Sequence, residues 1–215
     1  MLKTTVDKPG MPNKALIVLG ILQGYIKSPL WFLVSTIFTL PRFKKQLPKN
    51  LPKEFVEVTA LQTWMYIRLK EQLGQEKAYE IVRAFVLPVG LLIQQGNFRN
   101  VEAPRTFENL ITYQQRTNRE GPTRWNKMEV VEQSDLRYEF RIHNCMFHDF
   151  YTQLGIPEMT RLMCEVDNAI FNTYLPEVVT FHRHGIGNRI ADGAPACHFV
   201  IEHYQTNYNI PLTLS

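Results

Sequence analysis

Residues 136–155, LRYEFRIHNCMFHDFYTQLG, decide how the chain folds. Leu136, Tyr138, Phe140 and Ile142 alternate with Arg137, Glu139, Arg141 and His143. Side chains on a strand point to opposite faces in turn, so this period of two predicts a half-buried strand. The period then changes. Asn144 can cap a helix that runs to Leu154, and Gly155 suits its stop.

The neighbouring segments extend the pattern. Residues 126–132 are strand-like, with Ser134-Asp135 as the turn into the next strand. Pro157 fits the first position of a second helix reaching about Tyr174, and Pro176 lies just past it. Val178–Arg183 and Ala196–His203 read as two more strands joined by a Gly-containing loop. The C-terminal half is thus predicted as β-β-α-α-β-β, an antiparallel sheet covered on one face by helices.

Upstream, Val58, Leu61, Met65, Leu69 and Leu73 recur at spacings of three and four, which marks one helical face ending at Gly74. A further helix begins near Gln75 and buries Ala78, Ile81, Val82 and Phe85. Pro88 removes a backbone donor and crowds the preceding turn, so a break or kink is expected there. Residues 96–124 show little period and read as a long connection with one short helix near Phe107–Tyr113. The predicted class is α+β, with N-terminal helices ahead of the sheet.

Residues 1–14 read as a flexible lead with a Pro9-Gly10 turn. The segment 46–53, QLPKNLPK, reads as a linker. Two parts follow: a basic, apolar helical arm over 1–50 and a single α+β domain over 51–215.

Charge and cysteine usage exclude several function classes. The net charge is +4. Residues 1–54 carry nine Lys/Arg and two Asp/Glu, while the rest carries fifteen and eighteen. The predicted domain therefore lacks the basic stripe of a nucleic-acid binder. Three cysteines without a C-x-x-C cannot form a disulfide scaffold, so free thiols and a cytoplasmic location are expected. No G-x-S-x-G, P-loop or G-x-G-x-x-G is present, and no cofactor is predicted.

Ala15–Leu40 is nearly all apolar, broken by Lys27 and Pro29 and flanked by Lys3, Lys8, Lys14, Arg42, Lys44 and Lys45. No convincing cleavage site makes it a signal peptide. A charge at its middle argues against a span. Two readings stand: a helix pair packed on the domain or on a partner subunit, and peripheral membrane contact. The expected partners are a small-molecule substrate and, through residues 15–45, a membrane or protein. Nucleic acid is not expected, and a homo-oligomer stays open.

Candidate chemistry clusters late in the chain. The helix after Pro157 has an apolar stripe of Met159, Leu162, Met163, Val166 and Ile170. Cys164, Asp167 and Phe171 share the neighbouring face. A carboxylate one turn from a thiol suggests a partly buried polar site. The plainer alternative is a small core Cys beside a solvent-facing Asp. Cys197 falls on the core side of its strand with Phe199 and Ile201, and His198 points away. Cys145 opens a helix, where the N-terminus lowers a thiol pKa, and His148 lies one turn on as a candidate base. His182-x-His184 would place two rings on one strand face. Structural zinc sites use tight ligand pairs, whereas these cysteines are widely spaced, so no metal is predicted.

These residues together resemble a known family. Cys145-x-Phe147-x-x-Phe150, Leu154-Gly155-x-Pro157-Glu158, Cys164-Glu165-x-Asp167, Val179-x-Phe181-x-Arg183 and Gly193-x-x-x-Cys197-x-Phe199 are similar, in that order, to the L-2-amino-thiazoline-4-carboxylic acid hydrolase family. Residues 55–95 resemble its helical N-terminal part through generic features, and 11–50 have no counterpart. The resemblance implies a hydrolase of a non-peptide C–N or C–S bond, of the kind that opens a cyclic amidine, in a biosynthetic setting. It implies a site at Cys145, Cys164, Asp167 and Cys197 and leaves their roles open. His148, Phe171, His182 and Arg183 are the candidates for holding substrate. Residues 193–199 also resemble small-molecule-binding domains of the vinyl-reductase type, so a non-catalytic small-molecule or lipid-binding module stays open. So does a family member recruited to different chemistry on a lipophilic substrate.

Overall fold

The computed structural model describes residues 14–101, 105–121, 123–183 and 188–204. The Pro9-Gly10 turn and His184 lie outside the described residues. The chain divides into two compact units, residues 1–92 and 93–215.

In the first unit the apolar N-terminal stretch forms two helices, α1 (Lys14–Gln23) and α2 (Pro29–Gln46). Pro29 starts α2, where its missing N–H costs nothing. After α3 (Lys53–Leu73), Gly74 takes φ +84°, a conformation open to glycine without strain, and α4 (Gln75–Val101) begins at once. α4 buries Ala78, Ile81, Val82 and Phe85 as expected. It is not broken at Pro88: the helix continues past it to Val101. Pro88 forfeits one ladder bond, and the helical turns on either side carry the element across that gap.

The buried face of α3 differs from the expected one. Val58, Leu61 and Leu73 are exposed, while Phe55, Thr59, Ala60, Thr63, Met65, Tyr66 and Leu69 are buried. The reason is local. Thr59 Oγ1 donates to the Phe55 carbonyl at 2.7 Å, and Thr63 Oγ1 to the Thr59 carbonyl at 2.8 Å. With the hydroxyl satisfied inside its own helix, a threonine buries its methyl group at little cost. Hydropathy counts Thr as polar and so selects the wrong face.

The second unit is built on a four-stranded antiparallel sheet. Its strands are β1 (Lys127–Gln133), β2 (Arg137–Asn144), β3 (Val179–His182) and β4 (Cys197–His203), in the order β1-β2-β4-β3. Helices α5 (Phe107–Glu120), α6 (Met146–Gln153) and α7 (Glu158–Asn172) complete it. The α+β class and the β-β-α-α-β-β order are as predicted. α5 runs 14 residues, twice the short helix expected. Thr106 caps it by accepting from the Asn109 N–H at 3.1 Å, and Phe107, Leu110, Ile111 and Gln114 form its buried face. The many Asn, Gln and Thr residues between these positions obscured the period.

Register sorts the side chains of the sheet. Phe140 lies opposite Phe199, Tyr138 opposite Ile201, and Ile142 opposite Cys197. All six are buried on the helix-covered face. Phe171 of α7 stacks on Phe181 at 4.5 Å, Phe181 lies 5.9 Å from Phe199, and Phe199 stacks on Phe140 at 4.6 Å. Each such buried ring contributes about 1.5–3 kcal/mol of apolar transfer energy. The other face carries charge. Arg137 pairs with Glu139 at 2.7 Å, with Glu132 at 3.1 Å and with Glu202. β1 is an edge strand. It is mostly exposed and has two register shifts, which discourage pairing with another chain.

Candidate active site

Two helices and two strand ends bring the chemistry together. On α7 the buried residues are Met159, Thr160, Leu162, Cys164, Ile170 and Phe171, whereas Met163 and Val166 are only half-buried. The core face is thus turned toward Thr160, Cys164 and Phe171 relative to the expected stripe. Thr160 and Cys164 are again residues that hydropathy underrates. Asp167 lies one turn beyond Cys164 on this side. Arg183 follows the last residue of β3, and its Nη2 donates to Asp167 Oδ2 at 2.8 Å. The guanidinium stands 4.0 Å from the Phe199 ring centroid, in cation–π range. Its Nε is buried and has no hydrogen-bond partner among the described residues.

Arg183 is 6% exposed at its side chain, and Asp167 is 42% exposed. The carboxylate is thus open to water, while its cationic partner is enclosed. Burial raises the Asp167 pKa, and the neighbouring Arg183 opposes that rise.

The three cysteines interact electrostatically with this pair. Cys164 and Cys197 are buried, and Cys145 is half-buried. Cys164 feels the charge of Arg183, Asp167, Cys197 and Cys145, and Cys145 that of Cys197 and Asp167. Four side chains separated by up to 52 positions in sequence are therefore electrostatic neighbours. Cys197 Sγ accepts from the Ile190 N–H at 3.2 Å. Burial pushes the Cys164 thiol up to about 12 and the Cys145 thiol up to about 11, and it raises that of Cys197.

The Cys145 result reverses one expectation. Cys145, not the expected Asn144, is the N-cap of α6. The His148 and Phe147 backbone N–H groups do favour its thiolate, but burial outweighs them. The Met146 N–H is satisfied by Asn126 Oδ1 at 3.0 Å, so a residue 20 positions upstream supplies the cap. Among the described residues, no hydrogen bond joins Cys145 to the imidazole of His148, and the buried Nδ1 of His148 has no partner.

The other candidates fall in different places. Phe171 packs in the aromatic core against Phe181. His182 lies on the opposite face of the sheet, where its Nε2 meets Glu202 Oε2 at 2.8 Å. Among the described residues no group of three or more His, Cys, Asp or Glu side chains is placed to hold a metal ion. Sequence reasoning missed Arg189. It precedes a 3-10 turn (Ile190–Asp192), bonds Asp192 Oδ2 at 2.5 Å and feels the charge of Cys164 and Cys197. Arg161 of α7 reaches the other oxygen of Asp192 at 3.2 Å and ties the turn to the helix. The available signal was Arg189-x-x-Asp192-Gly193, a turn closed by a glycine at φ +91°.

A sequence model of the L-2-amino-thiazoline-4-carboxylic acid hydrolase family matches residues 55–201. The chain belongs to this family. The matched span of this hydrolase-family chain begins inside α3 and ends inside β4. It contains Cys145, Cys164, Asp167, Arg183, Arg189 and Cys197, whereas α1 and α2 precede it. Searches of curated proteins and of solved structures found no match.

Proposed function

We propose that the Asp167–Arg183 pair and its neighbouring thiols form a hydrolytic centre for a small cyclic amidine of the thiazoline type, with Asp167 as its general base. The supporting observation is the Asp167–Arg183 pair set among three thiols that burial keeps protonated. A protonated thiol is a poor nucleophile, so direct attack by Cys145 or Cys164 needs a base, and among the described residues none is hydrogen-bonded to either. Asp167 is open to water, and its raised pKa brings it nearer the working range of a proton carrier. Its carboxylate takes a proton from water as the oxygen bonds to the ring carbon between nitrogen and sulfur. The C=N electron pair moves onto the ring nitrogen, and the C–S bond breaks as the carbonyl forms. The proton leaving the new hydroxyl ends on that nitrogen, and the proton held on Asp167 passes to the departing sulfur. A free thiol and a urea-type carbonyl result. Arg183 orients the Asp167 carboxylate, and Cys145, Cys164 and Cys197 shape a weakly polar wall around the ring.

Ring opening of 2-amino-thiazoline-4-carboxylate, followed by release of the new thiol, tests this. Asp167→Asn should lower kcat by about 10²–10⁴, the usual worth of a positioned base. Single Cys→Ser variants should retain more activity than Asp167→Asn. Full turnover in Asp167→Asn refutes the assignment.

The neutrality of the thiols also favours a second reading, in which the same cluster binds an apolar small molecule without turning it over. Native mass spectrometry of the purified protein separates the two. A co-purifying ligand together with no ring opening supports the binding module.

A further inference from the structure

Helix α2 has one side committed to the fold and one side that is not. On the committed side, Phe32, Thr36 and Phe43 are buried. Phe43 stacks on Trp64 of α3 at 4.8 Å, and Trp64 Nε1 donates to Thr39 Oγ1 at 2.8 Å. On the other side, Leu30, Trp31, Val34, Ile37 and Phe38 are all more than half exposed, and Phe38 reaches 85%. Their spacing by threes and fours makes one continuous stripe about 12 Å long, at 1.5 Å of rise per residue. A stripe of this size and composition is costly to leave in water and marks an interaction surface.

Charge points to what covers it. Residues 14–53 contain seven Lys/Arg and no Asp or Glu. Lys27 precedes the stripe, and Arg42 and Lys45 follow it on the same exposed side of α2. A recess of about 470 Å³ opens at the N-terminal end, lined by residues that include Tyr25, Lys27, Trp31, Phe32 and Arg68. Arg68 Nη1 donates only to neutral oxygens: Thr36 Oγ1 at 2.7 Å, Ser35 Oγ at 2.9 Å and the Phe32 carbonyl at 3.4 Å. It has no carboxylate partner among the described residues. An arginine fork held by neutral groups beside an opening is suited to an anionic oxygen cluster. Tyr25, on the rim, donates to Glu80, whose charge is in turn met by Lys77.

We propose that α2 docks in the plane of an anionic phospholipid surface. Trp31, Ile37 and Phe38 enter the headgroup boundary, Lys27, Arg42 and Lys45 meet lipid phosphates, and the Arg68 recess takes one headgroup. An apolar stripe with cations at its ends is what an interfacial helix requires. No described helix is long and apolar enough to cross a membrane, so the contact is one of lying on the surface. A second copy of the chain is a poorer occupant. In a two-fold interface the same patch meets itself, and these cations would face cations with no anion between them.

Co-sedimentation with lipid vesicles tests the proposal on the full chain. Vesicles of phosphatidylcholine with about 30 mol% phosphatidylglycerol should bind the protein at least about tenfold more tightly than phosphatidylcholine alone, and added salt should weaken that binding. Ile37→Glu with Phe38→Glu should reduce binding by about tenfold or more at unchanged Tm, since both side chains are already in water. Arg42→Glu with Lys45→Glu should reduce it through the charge arm. A blue shift of fluorescence on binding should vanish in Trp31→Phe, although Trp64 and Trp125 remain. Equal binding by the Ile37→Glu/Phe38→Glu variant overturns the proposal. So does a failure to bind either vesicle. Light scattering that shows a dimer broken by the same pair of substitutions, without vesicle binding, assigns the face to a second copy instead.

Discussion

Arg183 reaches across from the end of β3 to hold Asp167 of α7 at 2.8 Å, and its guanidinium lies on the Phe199 ring. The two partners are unequally buried. Arg183 is enclosed, while Asp167 touches water. This asymmetry sets the cost of breaking the pair. Asp167→Ala strands a permanent cation in a closed site and should cost about 2–4 kcal/mol. Arg183→Met leaves a carboxylate that water can solvate, fills the space over Phe199, and should cost only about 1–2 kcal/mol. The double variant should recover part of the Asp167→Ala loss. Urea unfolding of the three variants checks the order, and a larger loss in Arg183→Met contradicts it.

The thiols predict behaviour at alkaline pH. Burial holds Cys145 near 11 and Cys164 near 12 in the folded protein, against about 8.5 in an unfolded chain. A group whose folded pKa is raised stabilises the fold at pH values below its unfolded pKa, and that contribution is lost as pH rises toward the folded value. Stability should therefore fall between about pH 8.5 and pH 12, and less steeply in Cys164→Ala. Thermal melts across this range provide the measurement. In a parallel experiment at pH 8, a disulfide reagent should modify all three thiols far more slowly in native than in denatured protein, with half-buried Cys145 first.

Acid acts on the opposite face of the sheet. Glu202 is held below the usual carboxylate range, chiefly by His182 and then by Arg137. A depressed pKa contributes stability above the unfolded value, and this is lost as pH falls through the folded value. The protein should lose stability below about pH 4.3, where an ordinary glutamate begins to protonate. Glu202→Gln should be less stable at pH 7 and show a flatter decline below pH 4.5. An unchanged acid limb in that variant would remove Glu202 from the explanation.

Gly155 joins α6, which starts at Cys145, to α7, which carries Cys164 and Asp167. It sits at φ +69° with nothing within 4 Å of an added Cβ. Gly155→Ala should thus be a purely conformational change costing about 1–2 kcal/mol, without a steric clash. Differential scanning calorimetry can measure this. Gly121→Ala offers the contrast: its Cβ would meet the Thr117 carbonyl oxygen at 2.7 Å, so its cost is steric.

Periodicity made the sheet of this protein legible. The alternation through 136–143 fixed which side of β2 faces the helices, because a strand has only two sides and the aromatic residues occupy one of them. Helix faces were less legible. In α3 and α7 the buried side includes Thr59, Thr63, Thr160 and Cys164, and whether a hydroxyl or thiol counts as polar depends on partners that a linear pattern does not contain. The family could also be read from ordered motifs, since those residues keep their spacing in the chain.

The site divides along the same line. That Cys164 and Asp167 share a helix face and that Cys197 faces the core follows from the 3.6 and 2.0 residue periods alone. Only the tertiary structure decided that Arg183 is the partner of Asp167, that His182 lies on the far side of the sheet, and that Arg189 stands beside two thiols. It also decided that burial overrides the helix terminus at Cys145. Proton affinity depends on everything packed around a group, and for Cys145 that includes side chains 22 and 52 positions away.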